Sequence, residues 1–236
     1  MERLDKIIAS QGKYSRSEVR KLVKDGAVTV NGAVAKKSDI KVSGTDEISV
    51  FGTPLCYKKY IYIMLNKPQG VISATEDRTQ KTVLDLVPSE LFRPGLFPAG
   101  RLDGDTTGFV LLTDDGDFAH RILSPKNHIM KTYHATLRDR LTEADIDRFK
   151  AGLTLGDGTT CLEAHVRVIS EGETTVAEIK ICEGKYHQVK RMFASIGNKV
   201  LMLRRVKMGE LSLDEALAEG ECRELSADEV ALIESF

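Results

Sequence analysis

The chain reads Gly100-Arg101-Leu102-Asp103-Gly104-Asp105-Thr106-Thr107-Gly108 and continues without a break into Phe109-Val110-Leu111-Leu112-Thr113. The first part is polar and bounded by glycines, which is typical of a loop. The second part is a short continuous apolar run, which predicts a buried strand or a short core helix. A rigid apolar element that carries a polar loop often positions reactive side chains. Asp103 is therefore a candidate catalyst, a candidate metal ligand or a residue of an ordinary Asp- and Gly-rich turn.

Around this stretch, residues 60–236 alternate between short strand-like and helix-like patterns. Strands are predicted at Tyr60–Leu65, where Asn66-Lys67-Pro68 should stop the strand, and at Tyr133–Leu137, His165–Ile169 and Thr175–Ile181. Helices are predicted at Val83–Val87, at Thr142–Lys150 with Thr142 as cap, and at His187–Ser195. Because strands and helices follow no regular βαβ period, we predict an α+β fold with a mixed or antiparallel sheet.

The N-terminal piece has its own pattern. Apolar residues with helical spacing predict two short helices in residues 1–24, and Ser15 with Glu18 predicts a capping box for the second. Residues 27–34 predict a hairpin around Asn31-Gly32, and residues 48–50 a closing strand. Because Gly, Pro and Lys bracket a linker near residues 52–59, we predict one domain at 1–58 and a second at 59–236.

The composition restricts the class of protein. The chain has 236 residues, of which 42% are hydrophobic and 29% charged, as expected for one large or two small globular domains. It contains no apolar run of about 18 residues, so no membrane association is predicted. The N-terminus lacks the apolar core of a secretory signal, and the four cysteines form no CxxC pair. These features predict a cytoplasmic protein.

The charge is distributed unevenly. The net charge of −1 combines a basic N-terminal piece with an acidic remainder, because residues 1–52 carry 10 Lys and Arg against 7 Asp and Glu. That piece, with a net charge of +3, is the better candidate for contact with a polyanion. The excess is small, so a solvated surface remains the alternative on charge alone.

The N-terminal piece resembles the S4 RNA-binding domain. The resemblance rests on Arg3-Leu4-Asp5-Lys6, Ser15-Arg16-Ser17, Gly26–Gly32 and Asp46-Glu47-Ile48, which follow one another in the order of that family. It implies an RNA-facing surface that includes Arg3, Arg16, Arg20, Lys21 and Lys24. Helical spacing puts Arg20 and Lys24 on one face, where both could follow phosphates. A small structural domain with a solvated basic helix is the alternative.

The second piece resembles the pseudouridine synthases. The matching segments are Gly100–Asp103 with Thr106–Gly108, Leu65–Gly70, Lys131-Thr132-Tyr133, Glu183–Phe193 and Leu203-Arg204-Arg205. An S4 domain followed by these segments resembles the arrangement of the RsuA/RluB/RluE/RluF family. The residues within the segments are most similar to the RsuA type, which acts on small-subunit ribosomal RNA. The chain departs from the usual motif at Gly104 and Phe109, and neither residue carries the reactive carboxylate.

The resemblance implies a role for each matching site residue. Asp103 would be the catalytic carboxylate, and Lys190 would form an ion pair with it where other branches carry an arginine. Tyr133 would pack against the flipped uracil, and Leu203 would add an apolar wall. Arg101 would order the loop or hold the flipped nucleotide.

The implied reaction needs no external reagent. Uridine loses its N1–C1′ bond, turns its base over and forms a C5–C1′ bond, so nothing is oxidised or added, and no cofactor is expected. A carboxylate can attack C1′ as a nucleophile or remove a proton from the sugar. The target base must be extruded from folded RNA, and an aromatic face helps to retain it. The five histidines show no metal-binding spacing, so no metal is expected.

Several alternatives stay open. The same reaction could act on large-subunit RNA, or the chain could be a non-catalytic RNA-binding factor of ribosome assembly. A calcium loop could begin at Asp103, but its twelfth position holds Asp114 rather than the bidentate Glu of an EF-hand. The preferred hypothesis is a monomeric pseudouridine synthase whose partner is ribosomal RNA, most simply that of the small subunit.

Overall fold

The computed structural model describes residues 1–235, which form two compact units. The first unit contains Met1–Ile61 together with Pro88–Leu96. The second contains Tyr62–Val87 and the chain from Phe97 onward. No sequence pattern predicted that Pro88–Leu96 would belong to the first unit. The division into domains at 1–58 and 59–236 stays a prediction.

The first unit packs two short helices against small sheets. A four-stranded antiparallel sheet has the order β3-β2-β5-β6, and β1 pairs separately with β4. The predicted helices, hairpin and closing strand are all confirmed. The elements are β1 (Glu2–Arg3), α1 (Leu4–Ser10), α2 (Arg16–Lys24), β2 (Val28–Val30), β3 (Ala33–Val34), β4 (Lys41–Val42), β5 (Ile48–Val50) and β6 (Thr53–Pro54).

Local sequence explains both features that shape this unit. The Ser15 side chain accepts from the backbone N–H of Glu18, and the Glu18 carboxylate accepts from Ser15 N, so the predicted capping box starts α2. Asn31 and Gly32 both have positive φ, at 51° and 79°, as a two-residue hairpin turn with the twist of its strands requires. The buried core contains the apolar residues with helical spacing, among them Leu4, Ile7, Ile8, Val19 and Val23.

Within the described residues, the second unit is built on a nine-stranded sheet. The strand order is β11-β12-β10-β13-β9-β7-β15, with β14 added to β13 and β8 to β9. Its strands are β7 (Tyr62–Lys67), β8 (Phe97–Ala99), β9 (Thr107–Thr113), β10 (Lys131–Leu137), β11 (His165–Glu171), β12 (Thr175–Ile181), β13 (Val200–Met208), β14 (Leu211–Ser212) and β15 (Cys222–Glu224). Its helices are α3 (Gly116–Leu123), α4 (Glu143–Lys150), α5 (Gln188–Ser195) and α6 (Ala227–Ile233).

The apolar run after Asp103 is a central strand rather than a core helix. In β9, residues 109–112 are fully buried. Phe109 and Leu111 pack with Met64 and Phe118 in one core cluster. Most neighbours in this sheet are antiparallel, but β9 and β13 run parallel. A Cβ atom at Gly108 would lie 2.2 Å from the carbonyl oxygen of Arg205, so only glycine allows this approach. The sheet is thus mixed, as predicted.

Several predicted boundaries differ from the structure, among them the start of β7, which lies at Tyr62 rather than Tyr60. Strand β7 does not stop before Asn66, because Asn66 and Lys67 continue the pairing with Phe109 and Gly108 of β9. The helix predicted at residues 83–87 is a single 3-10 turn at Leu84–Leu86. Helix α5 begins one residue late, at Gln188, since His187 has a left-handed backbone with φ of 47°. Elsewhere, α4 and its Thr142 cap are confirmed, and Asp145 completes a capping box there. Among residues 1–235, no helix is both long and apolar enough to cross a membrane.

Candidate active site

The loop that carries Asp103 joins β8 to β9 in the second unit. Its conformation is fixed just before Asp103, where the Ser73 hydroxyl donates to Leu102 O and accepts from Leu102 N, each at 2.9 Å. The backbone N–H of Thr106 then donates to Asp103 O at 3.1 Å and closes a tight turn. Leu102 is buried while the Asp103 side chain is 28% exposed. The loop therefore holds one carboxylate at the surface on a rigid support.

Lys190, on the first turn of α5, reaches this carboxylate. Its Nζ donates to Asp103 Oδ2 at 3.2 Å and to Asp105 Oδ1 at 2.5 Å. Burial alone would lower the pKa of Lys190, but the hydrogen bonds to Asp105 and Asp103 outweigh burial and raise it. Lys190 is therefore a cation held between two carboxylates. No role in this site was predicted for Asp105, although its spacing from Asp103 puts both in one short loop.

The neighbouring Arg191 points elsewhere. Its guanidinium forms an ion pair with Asp157 and donates to the carbonyl oxygen of Tyr186 at 3.3 Å. His187, at the start of α5, places Nε2 3.5 Å from Asp103 Oδ1. The sequence predictions missed His187, which lies just before α5 in the matching segment Glu183–Phe193.

A cleft lies beside Asp103. Tyr133 on β10 and Leu203 on β13 line it and are largely buried, at 8% and 6% exposure, while the exposed Arg101 lines its rim. The two strands are adjacent in the sheet. The structure thus brings together all five residues that the sequence assigned to the site, including Lys190 through its contact with Asp103. An aromatic ring and an apolar wall face a carboxylate that has a cation next to it.

Arg205, which was predicted only as part of the Leu203-Arg204-Arg205 motif, is buried behind the cleft. It donates to Phe109 O at 2.7 Å, to Gly100 O at 2.9 Å and to the Tyr133 hydroxyl at 3.4 Å. A single guanidinium therefore ties the start of the Asp103 loop to β9 and to the ring that lines the cleft. Its five N–H donors in a planar fork make this possible.

Lys67 is fully buried under the same loop. Its Nζ donates to the carbonyl oxygens of Thr106 at 2.8 Å, Pro68 at 3.1 Å and Gly104 at 3.4 Å. Burial lowers the pKa of Lys67 to about 8, although Asp105 and Asp103 oppose this shift. Three loop carbonyls thus depend on one buried amine.

We expect Lys67→Met to loosen the loop. The substitution keeps the volume but leaves three loop carbonyls without their donor, which should lower the free energy of unfolding by about 3 kcal/mol and the kcat by about tenfold. Thermal unfolding and turnover of the Met variant are compared with those of Lys81→Met, an exposed lysine of the same unit. Unchanged melting temperature and kcat for Lys67→Met would contradict this role.

The candidate RNA-facing residues of the first unit surround a buried carboxylate. Arg3 donates to both oxygens of Asp5 at 3.0 Å, Arg16 donates to Oδ1 at 3.1 Å, and Arg20 lies 3.8 Å from Oδ2. Asp5 is fully buried while the three arginines are half-exposed. Lys24 lines a basic groove with Arg3, Arg20, Lys36 and Lys37, and Lys21 is exposed on α2.

Asp5→Asn should destabilise the first unit. Hydrogen bonds from Arg3, and then from Arg16, hold the pKa of Asp5 at about 2 against the effect of burial. Relative to an unfolded value near 3.8, this corresponds to about 2 kcal/mol of stability, present above pH 4 and lost as the pH falls towards 2. Urea unfolding should show the deficit at pH 7 and a smaller one at pH 2.5. Asp25→Asn, at the exposed end of α2, is the control; equal stabilities of the two variants at pH 7 would refute the prediction.

The Asp103 loop does not have the surroundings of a calcium site. It lies between strands β8 and β9 rather than between helices, so the EF-hand alternative is wrong. In the part of the chain that the structure describes, no group of three or more His, Cys, Asp and Glu side chains could hold a metal ion.

Comparison with known proteins adds independent findings. The family model described as RNA pseudouridylate synthase matches residues 61–195, and the S4 domain model matches residues 2–48. An uncharacterized RNA pseudouridine synthase of Bacillus subtilis is 48% identical over 98% of this chain and 98% of its own. Ribosomal small subunit pseudouridine synthase A of Pasteurella multocida is 46% identical over 97% and 98%, and that of Escherichia coli 40% identical over 98% and 99%. A crystal structure of a pseudouridylate synthase, 40% identical, covers 99% of this chain and 100% of its own with a TM-score of 0.68.

Proposed function

The chain belongs to the RNA pseudouridylate synthase family, and from this premise we propose that it converts one uridine of small-subunit ribosomal RNA to pseudouridine. The observation that carries the proposal is the contact of Lys190 Nζ with Asp103 Oδ2, at 3.2 Å, beside a cleft lined by Tyr133. A carboxylate, a neighbouring cation and an aromatic wall are the groups that the isomerisation requires. A factor that only bound RNA would have no need of this arrangement.

In the proposed mechanism Asp103 acts on the sugar of an extruded uridine. It either attacks C1′ or removes a sugar proton, and in both cases the N1–C1′ bond breaks. The freed uracil is retained between the ring of Tyr133 and the side chain of Leu203 while it turns over. C5 of the uracil then bonds to C1′, which releases the Asp103 carboxylate in the first case and is accompanied by return of the proton to the sugar in the second. Loss of the C5 proton restores the aromatic base and N1 takes up a proton, so the overall change is an isomerisation. Lys190 supplies a positive charge next to Asp103 throughout.

The choice of small-subunit RNA rests on relatives. Proteins named ribosomal small subunit pseudouridine synthase A match this chain over nearly its full length at 40–46% identity. We propose that the enzyme acts as a monomer. With RNA as its substrate, we propose that the enzyme works in the cytoplasm.

The first unit is proposed to dock the RNA through the arginines around Asp5 and the basic side of α2. Replacing Arg20 and Lys24 together by glutamine should weaken RNA binding and lower the slope of log Kd against log salt by about 1 to 2, because two phosphate contacts are lost. Binding is measured across a salt series. The control is the double replacement of Lys150 and Lys199, two exposed lysines of the second unit, by glutamine. Equal slopes for both double variants would remove α2 from the RNA interface.

The proposal is tested with the purified protein and unmodified transcripts of both ribosomal RNAs. Chemical mapping of pseudouridine should find one modified site in the small-subunit transcript and none in the large-subunit transcript. Modification of the large-subunit transcript alone would overturn the choice of substrate. No pseudouridine in either transcript, or in an assembling subunit, would overturn the proposed function.

A further inference from the structure

Tyr186 stands out on the surface of the second unit. Its side chain is 75% exposed, more than any other large hydrophobic side chain of that unit among the described residues. One face of its ring is stacked on the ring of His187, with centroids 3.8 Å apart and planes inclined by 19°. The other face is open to solvent. Two stacked aromatic rings therefore lie at the surface in a loop where polar side chains would be expected.

The backbone that carries this stack is firmly held. The buried carboxylate of Glu183 accepts from Leu162 N at 2.9 Å and from the side chains of Lys185 and Gln188. Lys185 N donates to the Gln188 side chain at 2.8 Å, and its Nζ donates to Thr160 O at 2.7 Å. A flat aromatic surface on a fixed backbone can bind a partner with little loss of conformational entropy.

His187 joins the stack to the candidate active site. Its backbone has φ of 47°, a conformation that non-glycine residues adopt rarely and that is often kept at functional sites. This geometry turns the ring so that one edge faces Asp103, with Nε2 3.5 Å from Oδ1, while its face supports Tyr186. Tyr186 is thus stacked directly on the ring that contacts the candidate catalytic carboxylate.

We propose that the Tyr186–His187 stack is a platform for the unpaired nucleobase next to the target uridine. The inference rests on the proposed function, since it assumes that an extruded uridine occupies the cleft at Asp103. An extruded nucleotide leaves its neighbour without a stacking partner on one side, and aromatic side chains stack on such bases irrespective of their identity. The platform replaces the lost stack and holds the RNA open at the site of reaction.

The test combines variants of the protein and of the RNA. Tyr186→Leu removes the aromatic face, while Tyr186→Phe keeps it; Phe51→Leu, another exposed aromatic residue, is the matched control. The substrate is the ribosomal RNA fragment around the uridine mapped above, either intact or with an abasic residue on the 5′ or the 3′ side of that uridine. Tritium release from 5-tritiated uridine gives kcat and KM for each combination of protein and RNA.

With intact RNA, Tyr186→Leu should raise KM about tenfold with little change in kcat, and Tyr186→Phe should stay within about twofold of the unmodified protein. On one of the two abasic RNAs, the KM of the unmodified protein should rise by about the same factor. Tyr186→Leu should raise the KM for that RNA no further. If Tyr186→Leu raises KM by the same factor on all three RNAs, or does not raise KM on the intact RNA, the platform is refuted.

A binding measurement separates failure of this inference from failure of the proposed function. The fluorescence of a single-stranded RNA that contains 2-aminopurine should be quenched when the RNA binds the unmodified protein or Tyr186→Phe. Tyr186→Leu should quench the fluorescence less. Quenching that depends on the ring would support the platform even if no pseudouridine forms. Equal quenching by all three proteins would refute it even in an active enzyme.

Discussion

Asp103→Asn should abolish pseudouridine formation, with a loss of at least about 10⁴-fold in kcat, and should leave RNA affinity nearly unchanged. The amide cannot attack C1′ or accept a sugar proton, so several kcal/mol of transition-state stabilisation are lost. The candidate RNA-facing arginines lie in the first unit and are untouched. Turnover is measured by tritium release from 5-tritiated uridine RNA, and affinity by titration of the same RNA.

Asp105→Asn is the matched control for this experiment, because Asp105 lies in the same loop and accepts from the same lysine. It should keep at least about a tenth of the activity, since its carboxylate is more exposed than that of Asp103. Activity of Asp103→Asn within about tenfold of the unmodified protein would refute the assignment of the catalytic carboxylate.

Lys190→Met should reduce kcat/KM by about 10²-fold, whereas Arg191→Met should stay within about threefold of the unmodified protein. Removing a charge aimed at the reacting group typically costs two to three orders of magnitude. Of these two residues, Lys190 contacts Asp103 at 3.2 Å, whereas Arg191 pairs with Asp157 and donates to the backbone of Tyr186. The kcat/KM values of both variants across the pH range decide between them. A large loss of kcat/KM in Arg191→Met, together with an unchanged kcat/KM in Lys190→Met, would show that Arg191 rather than Lys190 is the functional cation.

Much of the fold could be predicted from local patterns. The predicted family and the S4-type N-terminal domain are confirmed by the matches to both family models and by full-length relatives. The α+β class and the strand after Asp103 are confirmed by the sheet of the second unit. These features succeeded because apolar spacing, the Ser15 and Thr142 caps and the Asn31-Gly32 turn act within a few residues of chain.

The supports of the site could not be predicted in the same way. Charged residues such as Lys67 and Arg205 are expected at the surface, yet both are buried, because carbonyl oxygens far away in sequence accept from them. The parallel pairing of β9 with β13 depends on the absent side chain of Gly108, a contact across almost 100 residues. The roles of Asp103, Tyr133, Lys190 and the other site residues stay predictions, although the structure places them together.

We propose that Asp103 of this chain makes one pseudouridine in small-subunit ribosomal RNA. The most direct test maps pseudouridines in ribosomal RNA from cells that lack the protein, and from the same cells supplied with the unmodified chain or with Asp103→Asn. We predict that one small-subunit site is lost without the protein, returns with the unmodified chain and does not return with Asp103→Asn. An unchanged map in cells that lack the protein, or restoration of the site by Asp103→Asn, would contradict the claim.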